Sequence, residues 1–479
     1  MAKDVSSLEV TLAPRPGQSQ LTRWLYGELR RSILDRRLAP GTRLPATRDF
    51  ARQYKISRGT VVTAFEQLQA EGFLVGRVGA GTWVTQWIPK QLQARKLPPA
   101  QVKNLTSPIP GWGFSFPPRP FRSHIPAISE FPIEIWARIA GRRLRRASAS
   151  LLAGADARGY APLRETIAGY LGSSRGVTCT PDQVVVVAGA QQGLDLLARV
   201  LIKSGEAVWI EDPGYFGATA AFRNAGAKII PVPVDDEGLS VSHGKRLCSR
   251  ARAAYLTPAH QFPLGVNMSL ERRLAILDWA RETGAILIED DYDSEFRFDG
   301  LPLPALHGLD KSGSVVLLGS FNKILFPSVR LGYVVLPDSL IDAFLAFRFT
   351  ADLHPSGLDH AILCDFIVDG HMGRHIHRMR NLYAGRLTAL QQSVKRYLDG
   401  ALEIRPIQAG LATSAFLLNE MTSLQVESAA LSHGVEAIAL DRFALRNTPV
   451  HGVRLGFAAF EEGQIRRGVT ALARAFESI

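Results

Sequence analysis

The sequence predicts an α/β protein with a small helix-turn-helix head at its amino end, and three observations carry that prediction. Four short apolar runs, Val184–Ala188, Ala207–Ile210, Ala285–Ile288 and Val315–Leu318, each stop at a turn or an acidic cluster, as buried parallel strands do. Residues 21–71 instead repeat their apolar side chains at helical spacing. Between the two regions, residues 89–132 contain ten prolines, too many for regular structure.

In the head, a first helix from Leu21 carries a stripe of Trp24, Leu25, Leu29, Ile33 and Leu34 and closes at Leu38-Ala39-Pro40-Gly41. A second short helix fits Ala46–Tyr54. After the turn at Lys55-Ile56, Ser57 caps a third helix over Arg58–Glu71 whose first turn exposes Arg58 and Thr60. Gly72 ends it, and Phe73–Val84 reads as two strands around a glycine-rich wing. Residues 1–88 hold 13 Lys and Arg against 7 Asp and Glu, so half of the chain's formal charge of +12 lies in its first fifth. Charge concentrated on such a pattern is the footprint of a DNA-binding module.

Residues 89–115 are read as an extended tether of about 25 residues, able to span up to roughly 80 Å. The tail of the proline-rich segment, Phe121 to Trp136, has spaced aromatics that dock on the large domain. The expected division is a head over 1–88, the tether, a large domain over 116–374 and a smaller one over 375–479. With 46% apolar residues, a sizeable core is within reach. No run of 18 apolar residues and no signal segment is seen, so a cytoplasmic protein without a membrane partner is expected. Cys179, Cys248 and Cys364 are isolated and odd in number, which argues for reduced thiols. His371, His375 and His377 stand among arginines and read as a basic helix face, so no metal is expected.

The large domain holds the chemistry. The strand before Gly189-Ala190-Gln191 enters a helix, a junction that aims free backbone N–H groups at an anion. Asp212-Pro213-Gly214-Tyr215 ends the next strand in a turn that presents an aromatic ring, the candidate to stack on a flat cofactor. Glu289-Asp290-Asp291-Tyr292 then puts acids at a strand end: Asp290 to keep a pyridine nitrogen protonated, Tyr292 to hydrogen-bond a ring oxygen, and Asp291 as the neighbour open to confusion with them. In Ser320-Phe321-Asn322-Lys323, followed by Arg330, a lysine comes with the hydroxyl and guanidinium that a 5′-phosphate needs. These are the parts of a pyridoxal 5′-phosphate site with Lys323 as the imine-forming amine.

Taken in that order, the motifs resemble fold-type I pyridoxal-phosphate enzymes, the aspartate aminotransferase-like family, from about residue 130 onward. Leu44-Pro45-Ala46-Thr47-Arg48, Ile56–Val61 and Ala70–Leu74 resemble the GntR family of winged-helix regulators. The fusion is identified as a MocR/GabR-type transcriptional regulator. The head resemblance implies that Arg48 and Arg58 touch phosphates or base edges, Thr60 the backbone, and Arg77 with Gly79 and Gly81 the minor groove. The catalytic-domain resemblance implies a substrate-gripping arginine at Arg454, here for an acidic group of an effector. Two departures stand out. Phe262 occupies the place of the aminotransferase Asn that bonds the ring oxygen, leaving His260 or Gln261 for that role, His260 first. Residues 151–158 lack the Tyr that reaches the partner subunit's phosphate, which favours sensing over turnover.

The resemblance therefore implies a homodimer, head-to-tail, that binds double-stranded operator DNA at paired half-sites. A small amino compound would be sensed by forming an external aldimine in place of Lys323, with at most a half-transamination. Two alternatives stay open: a regulator of vitamin B6 synthesis for which pyridoxal phosphate is itself the signal, and a working aminotransferase with an attached DNA-binding domain.

Overall fold

The computed structural model describes residues 12, 20–77, 81–86, 117–154, 156–298, 304–446 and 450–479. The expected tether and Gly79 lie outside the described residues. The chain divides into two compact units, Met1–Trp112 and Gly113–Ile479.

In the first unit, helices α1 (Leu21–Leu34), α2 (Thr47–Gln53) and α3 (Arg58–Ala70) close around Leu25, Leu29, Ile33, Phe50, Val61, Phe65 and Leu68. Ser57 caps α3, its Oγ accepting from the Thr60 N–H at 3.0 Å. Three strands follow the order β1-β3-β2, with β1 at Arg43–Leu44, β2 at Leu74–Arg77 and β3 at Gly81–Val84. Strand β1 was not foreseen, because two residues carry no periodicity and acquire strand geometry only by pairing with Thr82 and Trp83.

The second unit is built on an eight-stranded sheet. Its strands are β4 (Val184–Val187), β5 (Ala207–Asp212), β6 (Lys228–Asp235), β7 (Gly238–Leu239), β8 (Ala253–Leu256), β9 (Ile286–Asp291), β10 (Val315–Ser320) and β11 (Gly332–Val335), in the order β4-β11-β10-β9-β8-β5-β6-β7. Strands β6, β5, β8, β9 and β10 run parallel, while β11 and β7 are antiparallel to their neighbours. Both faces are covered, which is why these strands are apolar throughout instead of alternating. The carboxyl ends of β4, β5, β8, β9 and β10 fall along one edge, the usual place for a ligand in an open α/β sheet.

A second sheet, in the order β12-β13-β15-β14, comprises β12 (Leu402–Ile404), β13 (Ala412–Leu417), β14 (Ile438–Ala439) and β15 (Gly452–Gly456), all antiparallel. The 27-residue helix His371–Tyr397 and the helix Glu462–Glu477 are packed beside it, the former running through the expected domain boundary at 375. Pro120 and Phe121 hydrogen-bond to this carboxyl-terminal sheet region, accepting from the N–H groups of Glu436 at 2.9 Å and Gly456 at 2.7 Å. Arg122 pairs with Glu436 at 2.8 Å. The segment Pro120–Arg122 is thus strapped to the carboxyl-terminal sheet, and farther on Phe131 and Trp136 pack on Phe326 and Phe366. Among the described residues no helix is long and apolar enough to cross a membrane.

The helix Ala190–Leu201 lies on the sheet through Leu194, Leu197, Ala198 and Leu201, and Gly193 sets how closely. A Cβ there would stand 2.6 Å from Leu318 Cδ1 and 3.0 Å from Val334 Cγ2. Gly193→Val should therefore lower the unfolding free energy by about 1–3 kcal/mol in chemical denaturation; unchanged stability would show that the helix shifts freely on the sheet.

Candidate active site

Lys323 follows the end of β10, and its Nζ donates to the His124 carbonyl at 2.6 Å. Burial depresses the ammonium to about 8; Asp293 and Asp290 resist that shift and Arg454 reinforces it. A primary amine so placed is partly neutral, hence nucleophilic, near neutral pH. His124 was not foreseen: it contributes through its backbone, which no side-chain pattern reveals.

Asp290 is buried, and burial pushes its carboxyl up to about 7. Its Oδ2 accepts from the Tyr255 hydroxyl at 2.7 Å, while Oδ1 is buried with no hydrogen-bond partner among the described residues. An orphaned acceptor of that kind suits a cofactor's protonated ring nitrogen. Asp291 lies on the opposite face of β9, as strand alternation requires, and forms a buried ion pair with Arg175 at 2.7 Å. Tyr255 was also unforeseen; parallel pairing of β8 with β9 brings it to a residue 35 positions away.

The remaining predicted groups converge on the same edge. Gly189 has φ +95°, and a Cβ on it would meet Asn322 Nδ2 at 3.2 Å and Arg330 NH1 at 4.0 Å, so the turn before the helix Ala190–Leu201 adjoins the Arg330 guanidinium. Ser320 is buried beneath, its Oγ accepting from the Asn322 N–H at 3.3 Å. Tyr215 donates to Gln191 Oε1 at 3.1 Å, and its ring meets Phe262 edge-on with centroids 5.8 Å apart. Glycine cradle, hydroxyl, guanidinium, ring face, orphaned carboxylate oxygen and depressed amine fit pyridoxal phosphate.

His260 Nδ1 lies 3.0 Å from both Asp293 oxygens and 3.1 Å from the Tyr292 hydroxyl. Gln261, the other candidate for the missing Asn, spends its amide on Pro213 O at 2.9 Å, Glu211, Phe262 O and the Leu264 N–H, which pins the loop. Phe262 packs among His124, Tyr215, Tyr292 and Phe443, with the Arg454 guanidinium 4.8 Å above its ring. Arg454, on β15, is 1% exposed; NH1 donates to Pro263 O, Nε has no hydrogen-bond partner among the described residues, and the Tyr292 hydroxyl and, at longer range, Asp293 favour its charge while burial opposes it.

In the head, Arg48, Ser57, Arg58 and Arg77 are exposed, Thr60 is half-buried against Ser57, and Gly81 lies opposite Arg77 on the wing. Arg43 and Trp83, which the sequence did not single out, stand beside Arg77: both guanidiniums lie against the Trp83 ring, at 5.5 and 5.4 Å.

Comparison with known proteins bears on both units. The model for aminotransferase class I and II matches residues 130–472, and that for the gntR family of bacterial regulatory proteins matches residues 21–84. The probable rhizopine catabolism regulatory protein MocR of Rhizobium meliloti is 38% identical over 471 residues, 96% of this chain and 95% of that protein. The pyridoxine biosynthesis transcriptional regulator PdxR of Corynebacterium glutamicum is 30% identical over 470 residues, 96% of this chain and 97% of that protein. Among solved structures, kynurenine aminotransferase of Pyrococcus horikoshii in complex with PMP aligns with a TM-score of 0.70 and 27% identity, over 75% of this chain and 90% of that one.

The amine's environment sets its titration. Modification of Lys323 by an amine-directed reagent should rise with pH and reach half its plateau near pH 8, read by peptide mass mapping. Asp293→Asn should move that midpoint lower and Arg454→Leu should move it higher; an ordinary lysine midpoint in the wild type would refute the buried-amine geometry.

Proposed function

Because the chain belongs to the MocR-type family of transcriptional regulators, in which a gntR-family DNA-binding domain is joined to an aminotransferase-like domain that takes pyridoxal phosphate, we propose that it senses an acid-bearing primary amine and changes its grip on operator DNA accordingly. One observation carries the reading: a fully buried guanidinium, Arg454, whose charge is answered among the described residues only by the Tyr292 hydroxyl and, without direct contact, by Asp293, within electrostatic reach of a desolvated amine, Lys323. A guanidinium so weakly compensated is costly to bury, and an anionic group on a ligand would offset that cost.

When bound, pyridoxal phosphate supplies an aldehyde that condenses with primary amines. Around it, Asp290 Oδ1 would accept from the ring nitrogen, Tyr215 would cover the ring and Tyr292, oriented by His260 and Asp293, would serve the ring oxygen. Ser320, Arg330 and the backbone from Gly189 to Gln191 would hold its phosphate. Lys323 would present its amine there, held by its hydrogen bond to the His124 carbonyl. Arg454 grips the acid of the incoming compound bidentately.

Coupling to DNA runs through the strap. His124 touches Lys323, while Pro120, Phe121 and Arg122 hold the carboxyl-terminal sheet from which Arg454 projects. In sequence the strap continues directly into the tether, so a change in how the sheet closes on the site is delivered to the chain segment leading to the head. A ligand shifts that equilibrium only by its differential affinity, typically about 1–3 kcal/mol or roughly 5–150-fold in operator affinity. In a head-to-tail homodimer two heads would occupy paired half-sites. The PdxR relative's name supports a second reading in which pyridoxal phosphate is itself the signal.

The test titrates full-length apoprotein with pyridoxal phosphate and then with acid-bearing amines while following binding to its upstream duplex. Binding should change about 5–150-fold on adding the responsive amine. Arg454→Leu should erase that change while keeping the visible absorbance gained with pyridoxal phosphate. A response complete with pyridoxal phosphate alone would favour the second reading; steady turnover with a keto acid and indifferent DNA binding would contradict both.

A further inference from the structure

We propose that Arg43 and Arg77 form a two-guanidinium seat for a DNA phosphate on the wing sheet, with Trp83 as its positioning residue. The inference deepens the DNA-binding reading of the head and rests on it. In the order β1-β3-β2, Trp83 lies on the central strand, opposite Arg43 on one side and Val75 on the other. Cross-strand partners share a face, and Arg77, two residues beyond Val75, shares it too. The other face carries Leu44, Val84 and Leu74, all buried in the helical core. Arg43, Trp83, Val75 and Arg77 therefore make up the outward face, where Val75 is 45% exposed.

Both guanidiniums are drawn to one ring, at 5.5 and 5.4 Å from its centroid. Each gains a cation–π contact, but together they repel, and among the described residues no carboxylate pairs with either. Gly81 leaves room for Arg43 beside the ring: a Cβ there would lie 3.2 Å from Arg43 Nε. Two like charges stiffened against an indole lose less conformational entropy on taking an anion than free arginines do. The anion that such a basic wing meets is the phosphodiester backbone, which positions a protein on DNA without reading sequence.

The experiment measures binding of the full-length chain to its upstream duplex and to a random duplex over a range of salt concentrations. Arg43→Ala, at an exposed position, should weaken both complexes to a similar degree and reduce the slope of log affinity against log salt by about 1. Trp83→Leu, which keeps both charges, should weaken binding as well, and Trp83→Phe should recover most of the loss. Unchanged affinity and slope in Arg43→Ala, or wild-type binding by Trp83→Leu, would overturn the seat. A wild-type chain that ignores both duplexes would instead remove the DNA-binding reading beneath it.

Discussion

The site depends on keeping one primary amine out of water. Lys323 is desolvated, held by a single backbone carbonyl and surrounded by charges that oppose one another: two carboxylates favour its ammonium and a buried guanidinium disfavours it. Remove the carboxylates and burial would depress the ammonium further; expose it and it would be an inert cation. Burial also leaves Asp290 Oδ1 and Arg454 Nε without hydrogen-bond partners among the described residues, an uncompensated cost that a ligand could offset.

The same arrangement ties the two sheets of the second unit together. The Pro263 carbonyl, at the end of the loop pinned by Gln261, accepts from both Ser414 at 2.8 Å and Arg454, which face each other on β13 and β15. A compound engaging Arg454 thus acts on the contact by which the carboxyl-terminal sheet grips the large sheet's loop. The strap from Pro120 to His124 touches both partners of that contact, and two of its residues, Phe121 and His124, hold positive φ, at 68° and 69°. Such conformations cost of order 1–3 kcal/mol each and persist where the surroundings impose them.

Much of this was legible because it is local. The turns after Ala188 and Asp212, the acids of Glu289–Asp291 and the run Ser320–Lys323 each follow an apolar strand within a few residues, so their convergence on one sheet edge follows from parallel order alone. Strand alternation separates Asp290 from Asp291. What stayed hidden depends on distant pairing: Tyr255 beside Asp290, the His124 carbonyl on Lys323, and the two-residue strand that sets Arg43 against Trp83. The expected docking of Phe121 to Trp136 on the large domain was half the story, since its first residues belong to the carboxyl-terminal sheet instead.

Reduction of the pyridoxal-phosphate-loaded protein with borohydride, followed by peptide mapping, tests the central claim most directly. The account predicts that the cofactor's mass becomes fixed on the peptide bearing Lys323 and on no other, and that Lys323→Ala takes up no label. Label on a different lysine, or undiminished label in that variant, would contradict it.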